Sequence, residues 1–250
     1  GTGSLSDSSA VVVDGVRPVF TAGATTGGTK SLVLSLGEAV SGAPEVGDFA
    51  VTVNSVANTV TAVSAASDST SITLTLTNFV TNSSTVAVAY TANSETAKQL
   101  SDASGNTVAN DSSVSSITVT NDTNAPTVSS VSSNTADGTY NIGDVIEIAV
   151  ALSEVVTVTG TPQLTLETGA TDRTADYASG SGTNTLVFSY TVQSGDTTSD
   201  LAYTGASSLA LNGGTILDNA NNSAILTLPT VGGTGSLSDS SAVVVDGVRP

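Results

Sequence analysis

The chain has 250 residues, with five basic against 22 acidic side chains, a formal charge of −17, and no Cys, His or Trp. That composition excludes disulfides and thiolate metal sites, removes the commonest general base and transition-metal ligand, and argues against nucleic acid, whose phosphates need a basic face. Abundant Thr, Ser, Val, Gly and Asn favour short strands and turns over helices, and no apolar run approaches the roughly 18 residues of a membrane-spanning helix.

The chain opens on GTGSLSDSSAVVVDGVRP at residues 1–18, and the same eighteen letters return at 233–250, an offset of 232. Serines such as Ser4, Ser6 and Ser8, read as solvent-facing, recur as faithfully as Val11–Val13. Packing does not require that of exposed serines, so the identity reads as recent duplication. The chain is then one period of a tandem array plus the overlap into the next. Residues 1–13 read as the closing strand of a preceding repeat, with Ala10–Val13 as its apolar run, and Asp14–Pro18 as a linker ended by proline.

Strand-like runs follow at Ser31–Leu36, Phe49–Asn54, Thr59–Val63, Ser71–Leu76 and Thr85–Thr91. Several alternate strictly, as in Ile72-Thr73-Leu74-Thr75-Leu76, the period of a strand with one buried face. Ser94–Leu100 is the one helical turn expected, and Ser116–Thr120 the last strand before a linker at Asn121–Pro126. The cycle restarts with Val145–Leu152, Gln163–Leu166, Leu186–Val192, Leu209–Leu211 and Ile225–Leu228, closing on Ala242–Val245. Short strands without crossover helices predict an all-β chain of two tandem immunoglobulin-like antiparallel β-sandwich domains joined by short linkers. The first sandwich with its entry linker takes residues 14–122, the second 123–246, and 247–250 begin the next repeat.

The two halves share a skeleton of acids. Each has a glutamate just after its second expected strand, Glu38 in LSLGEAV and Glu154 in ALSEVV, and an Asp/Asn loop late in the unit, Asp102 in LSDASGN and Asp218 in ILDNANN. The separations match: 102 − 38 = 64 and 218 − 154 = 64. In an up-and-down meander the second strand ends near the incoming linker, and the late loop returns to the same pole. Asp14, Glu38 and Asp102 are therefore expected to converge, as are Asp122, Asn124, Glu154 and Asp218, while Asp246 begins the same set for the next repeat. Hard carboxylate and amide oxygens in such clusters suit Ca²⁺, which takes six to eight oxygen ligands. The competing reading is that these acids cap turns.

Two stretches carry a family resemblance. SEVVTVTGTPQLTLETGATDRTADYASGSGTNTLVFSYTVQSGD with ALNGGTILDNANN resembles the Ig-like, cadherin-like repeats of giant bacterial surface adhesins. The first half, with GDFAVTVNS, ITLTL, VAVAYT and LSDASGN, is similar to repeats of the cyanobacterial swimming-motility surface protein type. The resemblance implies export to the cell surface, a long tandem stalk, calcium at domain boundaries and a role in adhesion or surface fibres. One departure is Arg249 in the closing linker, where the internal linker has Ala125.

Catalysis finds little footing. A two-carboxylate glycosidase needs a cleft, usually aromatic-lined, and four Phe and five Tyr are few to build one. The expected function is a non-catalytic extracellular repeat segment, a calcium-rigidified stalk or fibre whose partners are neighbouring repeats. Two alternatives stand beside it: a module that binds carbohydrate or protein itself, and a filament subunit joined to other copies by strand exchange.

Overall fold

The computed structural model describes residues 14–114 and 116–248, and the chain divides into two compact units that meet between Asn121 and Asp122. The opening strand expected at Ala10–Val13 and the departure at Arg249 lie outside the described residues.

The first unit contains β1 (Phe20–Thr26), β2 (Thr29–Val40), β3 (Phe49–Val53), β4 (Val56–Ala57), β5 (Val60–Ala65), β6 (Ser69–Val80), β7 (Val86–Tyr90) and β8 (Ile117–Thr120). They form a five-stranded sheet in the order β5-β6-β2-β1-β8 and a three-stranded sheet in the order β4-β3-β7. Leu32, Leu34, Ile72 and Leu74 from one sheet and Phe49, Val51, Val88 and Tyr90 from the other share a single buried core. Alternating sequences thus build a two-layer sandwich, each strand keeping its apolar side inward. Aromatic rings are few, but Tyr90 gathers Phe20 at 5.3 Å and Phe49 at 5.2 Å between centroids.

The second unit contains β9 (Val128–Ser133), β10 (Gly138–Asn141), β11 (Val145–Thr159), β12 (Gln163–Glu167), β13 (Arg173–Ser179), β14 (Thr183–Thr191), β15 (Thr197–Thr198), β16 (Ala202–Tyr203), β17 (Leu209–Ala210), β18 (Thr215–Asp218), a one-turn helix α1 (Leu237–Ser240) and β19 (Val243–Asp246). The larger sheet runs β16-β12-β13-β14-β11-β18, with β17 also on β12 and β9 on β11. The smaller sheet runs β10-β19-β15. Ile146, Ile148, Val150, Leu186 and Phe188 from the first meet Val243 and Val245 from the second in one core.

The all-β expectation holds, but neither unit is a simple antiparallel meander. β8 pairs in parallel with β1, and β19 in parallel with β10. Gly23 permits the first of these, because a Cβ there would sit 2.3 Å from the Ile117 Cδ1 of β8. That glycine, in the weakly apolar FTAGATT, is also why β1 does not read as a strand. The expected helical turn forms as a 3-10 turn at Thr96–Lys98. Ile225–Leu228 forms no strand: Ile225 makes one isolated bridge to Thr127 and points outward, while Leu228 is buried. Its apolar letters serve loop packing, which periodicity alone cannot distinguish from a ladder.

Candidate functional site

Each unit brings three carboxylates together. Oxygens of Asp14, Glu38 and Asp102 lie within 4.8 Å of one another, and so do those of Asp122, Glu154 and Asp218. The convergence follows from register. In the first unit the Gly37 amide donates to the Val19 carbonyl at 3.0 Å, tying β2 to the entry segment, and Ser41 pairs with Ser101 beside the late loop. In the second, the Ser153 amide donates to the Thr127 carbonyl at 2.8 Å, and Val156 of β11 pairs with Asp218 of β18.

The glutamates do not follow their strands, as the sequence suggested; they sit inside them at bulges. Between the pairs Ser35↔Ser71 and Val40↔Ser69, four residues of β2 oppose one of β6. Between Ala151↔Thr185 and Val156↔Thr183, four residues of β11 likewise oppose one of β14. Glu38 and Glu154 occupy the same place in the two excursions. A bulge re-aims side chains that a regular ladder would alternate between faces, and here it turns each glutamate toward the pole.

The buried aspartates are held by one hydrogen-bond pattern used twice. Asp102 Oδ1 accepts the amides of Ser104 and Asn106, both at 2.8 Å, and Oδ2 accepts Asn106 Nδ2 at 2.8 Å. Asp218 Oδ1 accepts the amides of Ala220 and Asn222, both at 2.8 Å, and Oδ2 accepts Asn222 Nδ2 at 2.8 Å. The fourth loop residue has positive φ in both, Gly105 at 85° and Asn221 at 72°, a conformation that glycine and asparagine tolerate best. The same asparagine then reaches the entry segment. Asn106 Nδ2 donates to the Asp14 carbonyl at 3.0 Å, and Asn222 Nδ2 to the Asp122 and Asn124 carbonyls at 3.0 and 3.1 Å. Asn106 and Asn222 escaped the sequence reading, although a shared D-x-x-x-N spacing in DASGN and DNANN marks them.

The remaining expected residues fall differently. Asp14, Asp122 and Asp246 each turn their own segment, Oδ1 accepting the amide two residues on at 3.0, 3.0 and 3.2 Å. Asn124 contributes its backbone carbonyl to the Asn222 bond. Asp246 ends β19 and belongs to neither cluster.

The electrostatics are those of crowded like charges. Glu38 has its pKa raised by partial desolvation and by the Asp102 and Asp14 charges, and Glu154 by partial desolvation and by Asp218 and Asp122. The Asn106 side chain, with backbone amides of the loop, holds Asp102 below the usual carboxylate range. Among the described residues, the ion pairs Lys98–Glu45, Lys98–Glu95 and Arg173–Asp196 reach neither trio. Each pole offers oxygen donors alone, a set suited to a hard cation and not to zinc or copper. The three bonds on Asp102 use three of about four lone-pair sites on a carboxylate, leaving room for one further contact.

The fold and the poles together define a class: β-sandwich units, each with an acid trio joining its entry segment to a bulge and a late loop. Against known proteins, residues 13–95 match a family described as "Putative flagellar system-associated repeat". Similar solved structures include the N-terminal part of the bacterial S-layer protein SbsC, at 14% identity over 69% of this chain and 44% of that one, with a TM-score of 0.35. The S-layer protein rSbsC(31-844) is similar at 11% identity over 83% of this chain and 33% of that one, also with a TM-score of 0.35. The chain therefore spans less than half the length of either. No curated protein matches it. Among the described residues no helix is long and apolar enough to cross a membrane.

Proposed function

We propose that the chain is a non-catalytic repeat segment of a bacterial surface protein, a stalk or fibre used in adhesion or matrix formation, whose units each bind one Ca²⁺ at the acid pole. The observation that carries this reading is the double occurrence of one site. Two units of divergent sequence build the same trio from the same bulge, the same aspartate–asparagine loop and the same entry-segment turn. Turn capping explains Asp102 and Asp218 but not Glu38 and Glu154, which accept no hydrogen bond among the described residues and are destabilised by their neighbours. A divalent cation removes that repulsion and uses the free oxygens. The similarity of residues 13–95 to a motility-associated repeat is in keeping with a place on the cell exterior.

Mechanically, a cation held by Asp14 or Asp122 together with the bulge and the late loop ties the entry segment to its unit. The direction in which the chain enters each sandwich is then restrained, and a tandem array stiffens. Calorimetric titration with Ca²⁺ in a chelator-stripped sample is expected to give two binding events per chain. At about 100-fold excess over Kd, each stabilises its unit by about 2.7 kcal/mol. Melting curves and scattering profiles that coincide in Ca²⁺ and in EGTA would overturn the proposal.

A further inference from the structure

Each unit binds its last strand in parallel to one of its first two. In the first unit β1, which continues the entry segment, lies beside β8, in register from Gly23↔Ile117 to Thr26↔Thr120. The Gly23 amide donates to the Ser116 carbonyl at 3.4 Å, and the Gly27 amide to the Thr120 carbonyl at 2.8 Å. Tension along the chain draws β1 toward residue 14 and β8 toward residue 121. Because the two strands run the same way, these pulls oppose each other along the ladder, and every bond between the strands is loaded at once. An antiparallel pair would receive both pulls at one end, and its bonds would open in turn.

The two units hold that last strand differently. β8 is the edge of its sheet, with β1 as its neighbour in the ladder. Its Ile117 and Val119 are half-buried and only flank the core. β19 is paired on both sides, with β10 from Gly138↔Val243 to Asn141↔Asp246 and with β15, and its Val243 and Val245 are core residues. The segment before β19 also grips β9, the strand that enters the second unit. The Val131 amide donates to the Gly235 carbonyl at 2.8 Å, Ser240 Oγ donates to the Val131 carbonyl at 2.7 Å, and Ser241 Oγ accepts the Ser133 amide at 2.8 Å. Past β19, the Gly247 amide donates to the Asp196 carbonyl at 2.7 Å, and a Cβ at Gly247 would lie 2.3 Å from the Gln193 carbonyl oxygen. The exit of the second unit is thus seated in a closed backbone notch. Past β8, the first unit has Asn121 Oδ1 accepting the Ser83 amide at 2.9 Å.

We infer that these parallel pairs are force-bearing clamps of unequal strength, and that the first unit is the one that yields: under tension β8 shears off β1, and the first unit extends while the second stays folded. Forced unfolding is governed by the barrier to detaching the first element, not by equilibrium stability. A strand held on one side at the margin of the core presents the lower barrier. The inference rests on the reading of the chain as a load-bearing stalk, but not on its cation.

The test stretches single molecules of the full chain in optical tweezers, in EGTA, through handles on introduced cysteines, native cysteine being absent. One chain carries Val16→Cys and Thr123→Cys, which load the β1–β8 pair in shear. The other carries Thr26→Cys and Thr123→Cys, which pull on the shared end of the pair, where Thr26 faces Thr120, and peel it open. All three positions are exposed. Val16 lies past Asp14, so the acid pole of the first unit is outside the loaded path, and a chain that binds no Ca²⁺ would leave the result standing. Rupture in shear is expected at up to about four times the force of peeling, since four register pairs share the load. Stretching the chain from its ends should give a step of about 35 nm, the contour of Phe20–Thr120, at lower force than a step of about 41 nm, the contour of Val128–Asp246. Equal rupture forces in the two geometries would overturn the clamp, and a 41 nm step (about that length) at the lower force would overturn the order of yielding.

Discussion

Replacing Glu154 with Gln should have opposite effects with and without calcium. Glu154 shares its pole with Asp122 and Asp218, the carboxylate oxygens lying within 4.8 Å. Two unit charges at that distance repel by about 0.9 kcal/mol at the dielectric of water, and physiological salt roughly halves this. With two neighbours, the half-buried glutamate destabilises the second unit by about 1 kcal/mol in salt and about 2 kcal/mol at low ionic strength. In EGTA, therefore, E154Q should melt about 3–5 °C above the parent in salt. In saturating Ca²⁺ the ranking should invert, because the variant lacks one of three carboxylate ligands. The assay is differential scanning calorimetry of both chains in the two media, with Glu38→Gln as the matching change in the first unit. The same ranking in both media would refute the argument: E154Q higher throughout means repulsion without a bound cation, and lower throughout means a structural role for the carboxylate.

Asn222→Ala removes the two N–H donors shared among Asp218 Oδ2 and the Asp122 and Asn124 carbonyls, and at about 0.5–1.5 kcal/mol per donor should destabilise the second unit by about 1–3 kcal/mol in chemical denaturation. In chelator, stability should rise as pH falls from neutral toward the ordinary glutamate range. The raised pKa values of Glu38 and Glu154 mean that the folded chain holds those protons more tightly, a contribution complete below the unfolded value and lost as pH rises through the folded one. Further acidification should reverse the trend. Asp102 and Asp196 titrate lower in the folded chain, and the stability they contribute is lost as pH falls through their folded values; a pH series of melts reads both limbs. Arg173→Ala should lower stability by about 3–5 kcal/mol, because it takes the guanidinium at 2.8 Å from Asp196, which is 1% exposed and otherwise held by Tyr190 and the Gln193 amide; a denaturant midpoint unchanged from the parent would contradict this. Gly247→Ala should destabilise the second unit through its backbone clash, whereas Gly15→Ala should leave the melting of the isolated chain unchanged.

Alternation and acid spacing made much of this legible beforehand. Ile72–Leu76 and Val86–Tyr90 keep the faces their letters announce, since a period of two leaves a strand only one way to bury its apolar side. The equal 64-residue separations placed Glu38 with Asp102 and Glu154 with Asp218. Phe20–Thr26 and Val128–Ser133 did not read as strands, because small and polar residues carry no period strong enough to announce one and only their partners in the ladder make them strands.

The sequence by itself determined an all-β chain, a duplicated end, and which acids belong together. Tertiary structure alone decided how those acids meet: through bulges that turn Glu38 and Glu154 out of regular alternation, and through Asn106 and Asn222, which tie the late loop to the entry segment. It also decided what the repeated serines do, since burial of Ser236 and the bonds of Ser240 and Ser241 depend on β9, which is distant in sequence from the segment it holds. Register and long-range pairing are properties of two segments at once, and no reading of one segment contains them.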